Sequence, residues 1–310
     1  MKRSCKQIFA RGTNWFLVAL LTIALALTAC TAEWPPAESV EYVFDDLDRL
    51  VAINGTPQRI VSLAPSNTEI LFALGLGEKV VGVTDWCDYP PEALEKEKVG
   101  SYDTPDIEKI VALTPDLILV AYGTTMDVIN NLVGLGLTVF GIKTTDLDDV
   151  LNDIKTVGEI TDKEVEAQAL TSEMESRIQA VTDATSELEQ RPRVFYIVWH
   201  DPLWTAGSGT FIHELIEKGG GVNICQNITG YTTISIEEVV ARNPEVIITS
   251  EWSFEWASNA TELQGTNASQ EGRIYQGDDD LVQRPGPRLV EGLEWFAYFI
   301  HPEIFEEPED

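Results

Sequence analysis

Sulfur and imidazole are scarce in this chain of 310 residues, which holds four cysteines and three histidines. It has no Cys-x-x-Cys pair, no His-Glu-x-x-His stretch and no histidine cluster. A structural zinc site gathers four such ligands, so no metal site is expected. Basic side chains are also few, 21 Lys and Arg against 51 Asp and Glu, for a formal net charge of −30. That charge repels phosphate backbones and anionic bilayer surfaces, which argues against nucleic acid as a partner. Catalytic fingerprints are missing as well. No Gly-x-Ser-x-Gly elbow surrounds Ser62 or Ser66, no Gly-x-Gly-x-x-Gly follows the first strand, and no Gly-Lys-Ser/Thr phosphate loop occurs. An enzyme is not expected. A secreted hydrolase is the remote alternative, and a purely structural surface lipoprotein is another.

One long apolar run occurs near the start, Trp15 to Leu27. It is shorter than the ~20 residues that cross a bilayer. Lys2, Arg3, Lys6 and Arg11 precede it and Leu27-Thr28-Ala29-Cys30 closes it. Residues 1–30 therefore read as a signal peptide ending in a segment that resembles the bacterial lipobox, whose cysteine takes the lipid. An extracytoplasmic, membrane-anchored lipoprotein is the expected form, at the cell surface or in the periplasm. Residues 31–57, with Pro35, Pro36 and several acids, read as a flexible tether. Cys5 would leave with the signal and Cys30 would carry the lipid, so Cys87 and Cys225 remain in the folded part. Whether those two form a disulfide stays open.

The rest alternates short apolar strands with helical stretches. Arg59–Leu63, Val80–Val83, Leu117–Ala121 and Thr138–Ile142 are buried-strand patterns separated by helices, which favours a parallel sheet over residues 58–162. Residues 163–191 hold no glycine or proline, and Val165, Ala169, Leu170, Met174, Ile178 and Val181 recur at helical steps. That predicts one long amphipathic helix. Residues 192–310 open a second α/β half with a strand at Arg193–Val198 and a helix at Thr210–Lys218. Ile107–Ile118 and Ile236–Ile247 echo one another at a constant offset, each a short helix, a Thr/Asn-Pro stop and a buried strand. Each copy has a glutamate in its first helical turn, Glu108 and Glu237. Read alone, these would simply offset the helix dipole.

Taken in order, Arg59 to Gly77, the loop Trp86 to Pro91, the paired glutamate motif and Arg284-Pro285-Gly286-Pro287-Arg288 resemble the class III substrate-binding proteins. That group serves cobalamin, haem and ferric siderophore importers, and the likeness is strongest to its cobalamin-binding members. The resemblance implies an α/β fold of two lobes with central parallel sheets joined by a single long α-helix, the class III periplasmic-binding-protein fold. Ligand would lie in the cleft between lobes. Glu108 and Glu237 would each dock on the permease dimer of an ABC importer, and the protein would act as a monomer.

At positions matching the family's cleft stand Trp86, Tyr102, Trp199 and Trp204, with Tyr122, Tyr231 and Trp252 as further candidates. Flat rings suit a large, nearly planar macrocycle. His200 is a candidate axial ligand or a hydrogen-bonding loop residue. Arg288 matches a cleft arginine able to contact propionate, phosphate or amide groups, whereas a salt bridge within its lobe accounts equally well for Arg284. A corrinoid such as cobalamin is the expected ligand, with no resident cofactor; haem and a ferric siderophore are the alternatives. One departure bears on the corrinoid: where cobalamin-binding members carry a tryptophan before the Arg-Pro segment, this chain has Leu281.

Overall fold

The computed structural model describes residues 40–121 and 123–308. The signal, the lipobox with Cys30, residues 31–39 of the tether and Tyr122 lie outside them. Within residues 40–308 no helix is long and apolar enough to cross a membrane.

Two parallel sheets organise the chain. In the first, β3 (Ile60–Ser62), β4 (Val80–Val83), β5 (Glu97–Lys98), β6 (Leu117–Val120) and β7 (Val139–Gly141) lie in the order β5-β4-β3-β6-β7. In the second, β8 (Arg193–Ile197), β11 (Val222–Asn223), β13 (Val246–Thr249) and β14 (Ile274–Gln276) lie in the order β11-β8-β13-β14. In both, the chain starts mid-sheet, moves outward one way, then returns to build the other side. Each sheet therefore has a switch point, between β3 and β6 and between β8 and β13. β9 (Trp199–His200), β10 (Leu203–Ala206) and β12 (Tyr231–Thr233) form a separate antiparallel sheet.

The central strands are apolar on both faces, as parallel strands covered by helices must be. Alternate residues divide between two cores. Leu117 and Leu119 of β6 face one, and Ile118 and Val120 face the other. Val194 and Tyr196 of β8 divide in the same way from Phe195 and Ile197. The inner faces of both sheets share a single apolar cluster.

Helices connect the strands: α1 (Pro65–Ala73), α2 (Ile107–Ala112), α3 (Met126–Gly134) and α4 (Leu147–Ile160) in the first lobe. Then come α5 (Glu164–Ser186), α6 (Phe211–Lys218), α7 (Ile236–Arg242), α8 (Phe254–Asn259), α9 (Asn267–Gln270), α10 (Asp279–Val282) and α11 (Leu289–Ile300). The long helix α5 packs on α4 on one side and on α6 and α11 on the other. Gly158 permits the close approach of α4, since a Cβ there would lie 2.5 Å from that of Ala167. Arg177 of α5 makes a two-pronged bond to Glu294 of α11 at 2.9 and 2.6 Å.

Three expectations are corrected. First, α5 spans 23 residues, short of the 163–191 range. Its last turn lacks a basic residue to satisfy the carbonyls, and Arg191 is drawn off to Glu217 O at 2.5 Å. Second, the face of α5 on the core keeps Leu170, Met174, Ile178 and Val181 of the expected positions and adds Ala167, Thr171 and Thr185, while Ala169 is exposed and Val165 is 80% exposed. Thr171 and Thr185 enter the core because their hydroxyls donate to Ala167 O at 2.9 Å and Lys218 O at 2.9 Å. Third, much of the supposed tether is folded: β1 (Val40–Phe44) and β2 (Leu50–Asn54) form an antiparallel hairpin. Its turn is tied to the edge of β7 by the buried Asp45 carboxylate, which accepts from Arg49 N (2.9 Å), Arg49 Nε (2.9 Å) and Gly141 N (3.0 Å).

The internal echo is structural. Thr114 and Asn243 both adopt positive φ, 47° and 46°, and end α2 and α7 before a proline. Asp116 then accepts from Arg59 N at 2.9 Å, and Glu245 accepts from Arg193 N at 2.9 Å. Each half thus locks the start of its first central strand by the same device.

Candidate functional site

The C-terminal ends of the strands of both sheets converge, and their loops enclose two cavities that share Arg284. The smaller, about 410 Å³, is lined from the first lobe by Ala64-Pro65-Ser66, Tyr102, Ala121, Ile142 and Thr144. These follow β3, β5, β6 and β7. The second lobe contributes Val198, Phe211, Tyr231 and Gln283-Arg284-Pro285. The larger, about 650 Å³, is lined by Trp86 and Asp88 from one lobe and by Glu251, Trp252 and Gln276–Asp280 from the other. A ligand crevice beyond the strand ends at a switch point is the general expectation for open α/β sheets.

The sequence candidates divide into those that line these cavities and those beside them. Trp86 (61% exposed) and Tyr102 (42% exposed) stand in the walls. Tyr231 and Trp252, ranked lower on sequence, line them too. Trp199 and Trp204 are cross-strand partners on β9 and β10, and Tyr231 pairs with Ala206 one step further along β10–β12. Side chains two residues apart share a sheet face, so Trp204 and Trp199 extend the face that Tyr231 presents to the cleft. His200 is stacked between Trp199 and Trp256, at 4.9 and 5.5 Å, with Nδ1 3.3 Å from Ser253 Oγ. These contacts are those of a hydrogen-bonded, ring-stacked strand residue, and His200 lines neither cavity.

Arg288 lies elsewhere. Its guanidinium donates to both oxygens of the buried Glu69 at 3.0 and 2.7 Å and stacks 3.9 Å over the Tyr89 ring. It therefore joins the lobes, and it lines two further cavities, of about 660 and 720 Å³, which it shares with Tyr89 and Arg177 of α5. Burial pushes the Glu69 carboxyl up, against the opposing pull of Arg288. Arg284 is the arginine of the cleft, and its salt bridges run to Asp88 of the other lobe at 2.5 Å and Asp280 at 2.6 Å. The hydrogen bond from Arg284 holds the Asp88 carboxyl below the usual range. Sequence spacing could not separate two arginines four residues apart; Glu69 in α1 was the missing signal.

Other candidates fall into place. Leu281 is buried in the core, 7% exposed. Cys87 and Cys225 are both buried free thiols, each in its own lobe, and no disulfide joins them. Glu108 and Glu237 stand exposed on the first turns of α2 and α7, capped by Asp106 and Ser235. Among the described residues neither has an ion-pair partner, whereas the adjacent Glu238 is paired with Arg242.

The family model for periplasmic binding proteins matches residues 60–281. An ABC transporter substrate-binding lipoprotein of Bacillus subtilis, YvrC, is 35% identical over 83% of this chain and 84% of its own length. The vitamin B12-binding protein of Vibrio cholerae is 34% identical over 78% of this chain and 89% of its own length. The crystal structure of periplasmic vitamin B12 binding protein BtuF of Vibrio cholerae superposes with a TM-score of 0.72 at 32% identity, covering 79% of this chain and 97% of that one. The two lobes, the single bridging helix and these likenesses agree: the chain belongs to the periplasmic binding protein family in its class III form, as a substrate-binding protein of an ABC transporter.

Proposed function

We propose that this protein captures a corrinoid such as cobalamin between its lobes and delivers it to the permease dimer of an ABC importer. The observation that carries the reading is the wall of the cleft: Trp86, Tyr102, Phe211, Tyr231 and Trp252 surround its two cavities, with Pro65, Ile142, Val198 and Pro285 between them. Each ring can take ~150–250 Å² out of water with little rotamer cost. Such walls suit the faces and edges of a macrocycle better than a small ion. The vitamin B12-binding relatives support the same ligand. No catalytic role and no resident cofactor are assigned.

Delivery falls to Glu108 and Glu237. Two exposed acids on equivalent helices of two pseudo-equivalent lobes suit a two-fold partner bearing arginines, for which they would steer encounter and fix register. Lipidation at Cys30 would hold the monomer at the membrane outside the cytoplasm, through ~0.8 kcal/mol per buried CH₂. The test is equilibrium dialysis of the signal-free chain against cyanocobalamin. One site per chain is expected, weakened by at least ~1–3 kcal/mol in Tyr231→Ala. No saturable uptake, or uptake indifferent to Tyr231, contradicts it.

A further inference from the structure

The hairpin β1–β2 turns an apolar face to solvent. Its inner face packs on the core through Val43, Val51 and the buried Ile53. On the outer face the register pairs Val40 with Asn54, Tyr42 with Ala52 and Phe44 with Leu50, since alternate residues of a strand share a face. None of these six side chains is charged, in a chain of net charge −30. Tyr42 and Phe44 are 65% and 68% exposed, and Val40 and Leu50 are exposed beside them. Apolar side chains scattered singly over a surface need no explanation, but several large ones side by side mark an interaction site.

The face is held in place. Asp45 ties the turn to Gly141 N at 3.0 Å, and Asp46 accepts from Lys143 N at 2.9 Å. The exposed acids Asp46 and Asp48 stand in that turn, at the end of the hairpin away from Val40. At the Val40 end only nine residues, 31–39, separate the hairpin from Cys30. Fully extended, that stretch spans at most about 36 Å. It includes Trp34, and tryptophan and tyrosine are the residue types enriched at bilayer interfaces.

We propose that the outer face of this hairpin lies against the bilayer that holds the chain's own lipid, with Val40, Tyr42, Phe44 and Leu50 at the boundary of headgroups and acyl chains. The inference rests on reading Cys30 as the lipidated residue. The short tether decides the occupant, because it presents the bilayer to the hairpin at an effective concentration on the order of millimolar. A contact too weak to form from solution then forms. Uncharged aromatic and aliphatic side chains suit this zone, where ring bodies enter the acyl boundary and the tyrosine hydroxyl stays hydrated. The net negative charge opposes electrostatic adhesion, so the attraction is apolar and the anchor supplies the proximity. A lobe resting on its hairpin is held in one orientation at the membrane between docking events.

Amide exchange tests this on the signal-free chain, with the Cys30 thiol coupled to a maleimide phospholipid in phosphatidylcholine vesicles. Cys87 and Cys225 are buried, so the coupling is selective. The reference is the same chain coupled to a water-soluble maleimide. Exchange over residues 40–54 should slow about threefold or more on vesicles, the slowing given by a contact made two-thirds of the time, with β13 unchanged. The slowing should persist when the surface density of chains is cut about tenfold. In the double variant Tyr42→Ser, Phe44→Ser the two forms should exchange alike; should that variant not fold, the density series on the unaltered chain still decides. Exchange that is unchanged on vesicles overturns the contact. Slowing confined to high density assigns the face to a second copy and overturns it too. Mass analysis of the Cys30 peptide, from the full chain recovered from membranes, checks the anchor by itself. A diacylglyceryl group there with unchanged exchange removes the hairpin contact alone, and an unmodified Cys30 overturns both.

Discussion

Replacing Arg288 by alanine should damage stability rather than ligand capture. The guanidinium meets both oxygens of Glu69, which is 3% exposed. Arg284, 3.8 Å from the same carboxylate, is already held by Asp88 and Asp280 and cannot take over. Removing one partner of a buried pair leaves the other charge uncompensated, at a cost of about 3–5 kcal/mol. Losing the stack on Tyr89 adds ~0.5–1 kcal/mol. With a urea slope of about 3 kcal/mol/M, the unfolding midpoint should fall by at least ~1 M. The deficit should depend on pH with a defined sign. Burial raises the Glu69 pKa in the folded protein, so the stability tied to its protonated form is present at low pH and lost as pH rises through that pKa. Without Arg288 the carboxyl protonates more readily still, so the deficit should be larger at pH 8 than at pH 5. Glu69→Gln in the same chain should recover much of the loss. A midpoint shift below ~0.3 M, or lost ligand binding at unchanged stability, would refute the clamp and return Arg288 to the ligand.

Three further outcomes follow from the same geometry. Charge reversal of both Glu108 and Glu237 to arginine should abolish ligand uptake by cells while calorimetric affinity stays within about twofold; lost affinity would move these residues into the cleft. Asp153, pushed up to about 8 by burial with Asp46 beside it, favours folding while protonated. Stability should therefore decline between pH ~4 and ~8, from the unfolded to the folded pKa, and Asp153→Asn should raise the melting temperature at pH 8.5 with little effect near pH 4. Equal shifts at both pH values would contradict this. Asp45→Ala should free the β1–β2 hairpin from β7, increasing amide exchange over residues 40–54 with exchange in β13 unchanged; protection unaltered in the hairpin would show that its apolar inner face suffices.

Much of the architecture was legible in the sequence because the parallel strands are short apolar runs between helices, and the paired halves repeat at a fixed offset. The glutamates emerged from that repeat, which is a property of the chain itself. What escaped was set by pairings distant in sequence. The hairpin at 40–54 reads as an acidic tether because Asp45, Asp46 and Asp48 crowd its turn, and only the docking of Asp45 on Gly141 explains them. The face of α5 was read in part: Leu170, Met174, Ile178 and Val181 pack on the core as expected, while Thr171 and Thr185 join it because their hydroxyls are satisfied internally. Arg284 and Arg288 exchanged roles because the buried acid that chooses between them, Glu69, is more than 200 residues away. Tyr231 and Trp252 line the cavities although they rank below Trp199 and Trp204 on sequence, because that order depends on which strand ends meet.

The central claim is that the ring-walled cleft holds a corrinoid. Trp86 and Trp252 stand in its wall, so intrinsic tryptophan fluorescence reports occupancy directly. Titration of the signal-free protein with cyanocobalamin, haemin and a ferric siderophore, corrected for absorption by each ligand, should give saturable one-to-one quenching by cyanocobalamin and none by the other two. Saturation by haemin or the siderophore alone, with cyanocobalamin silent, would contradict the corrinoid assignment.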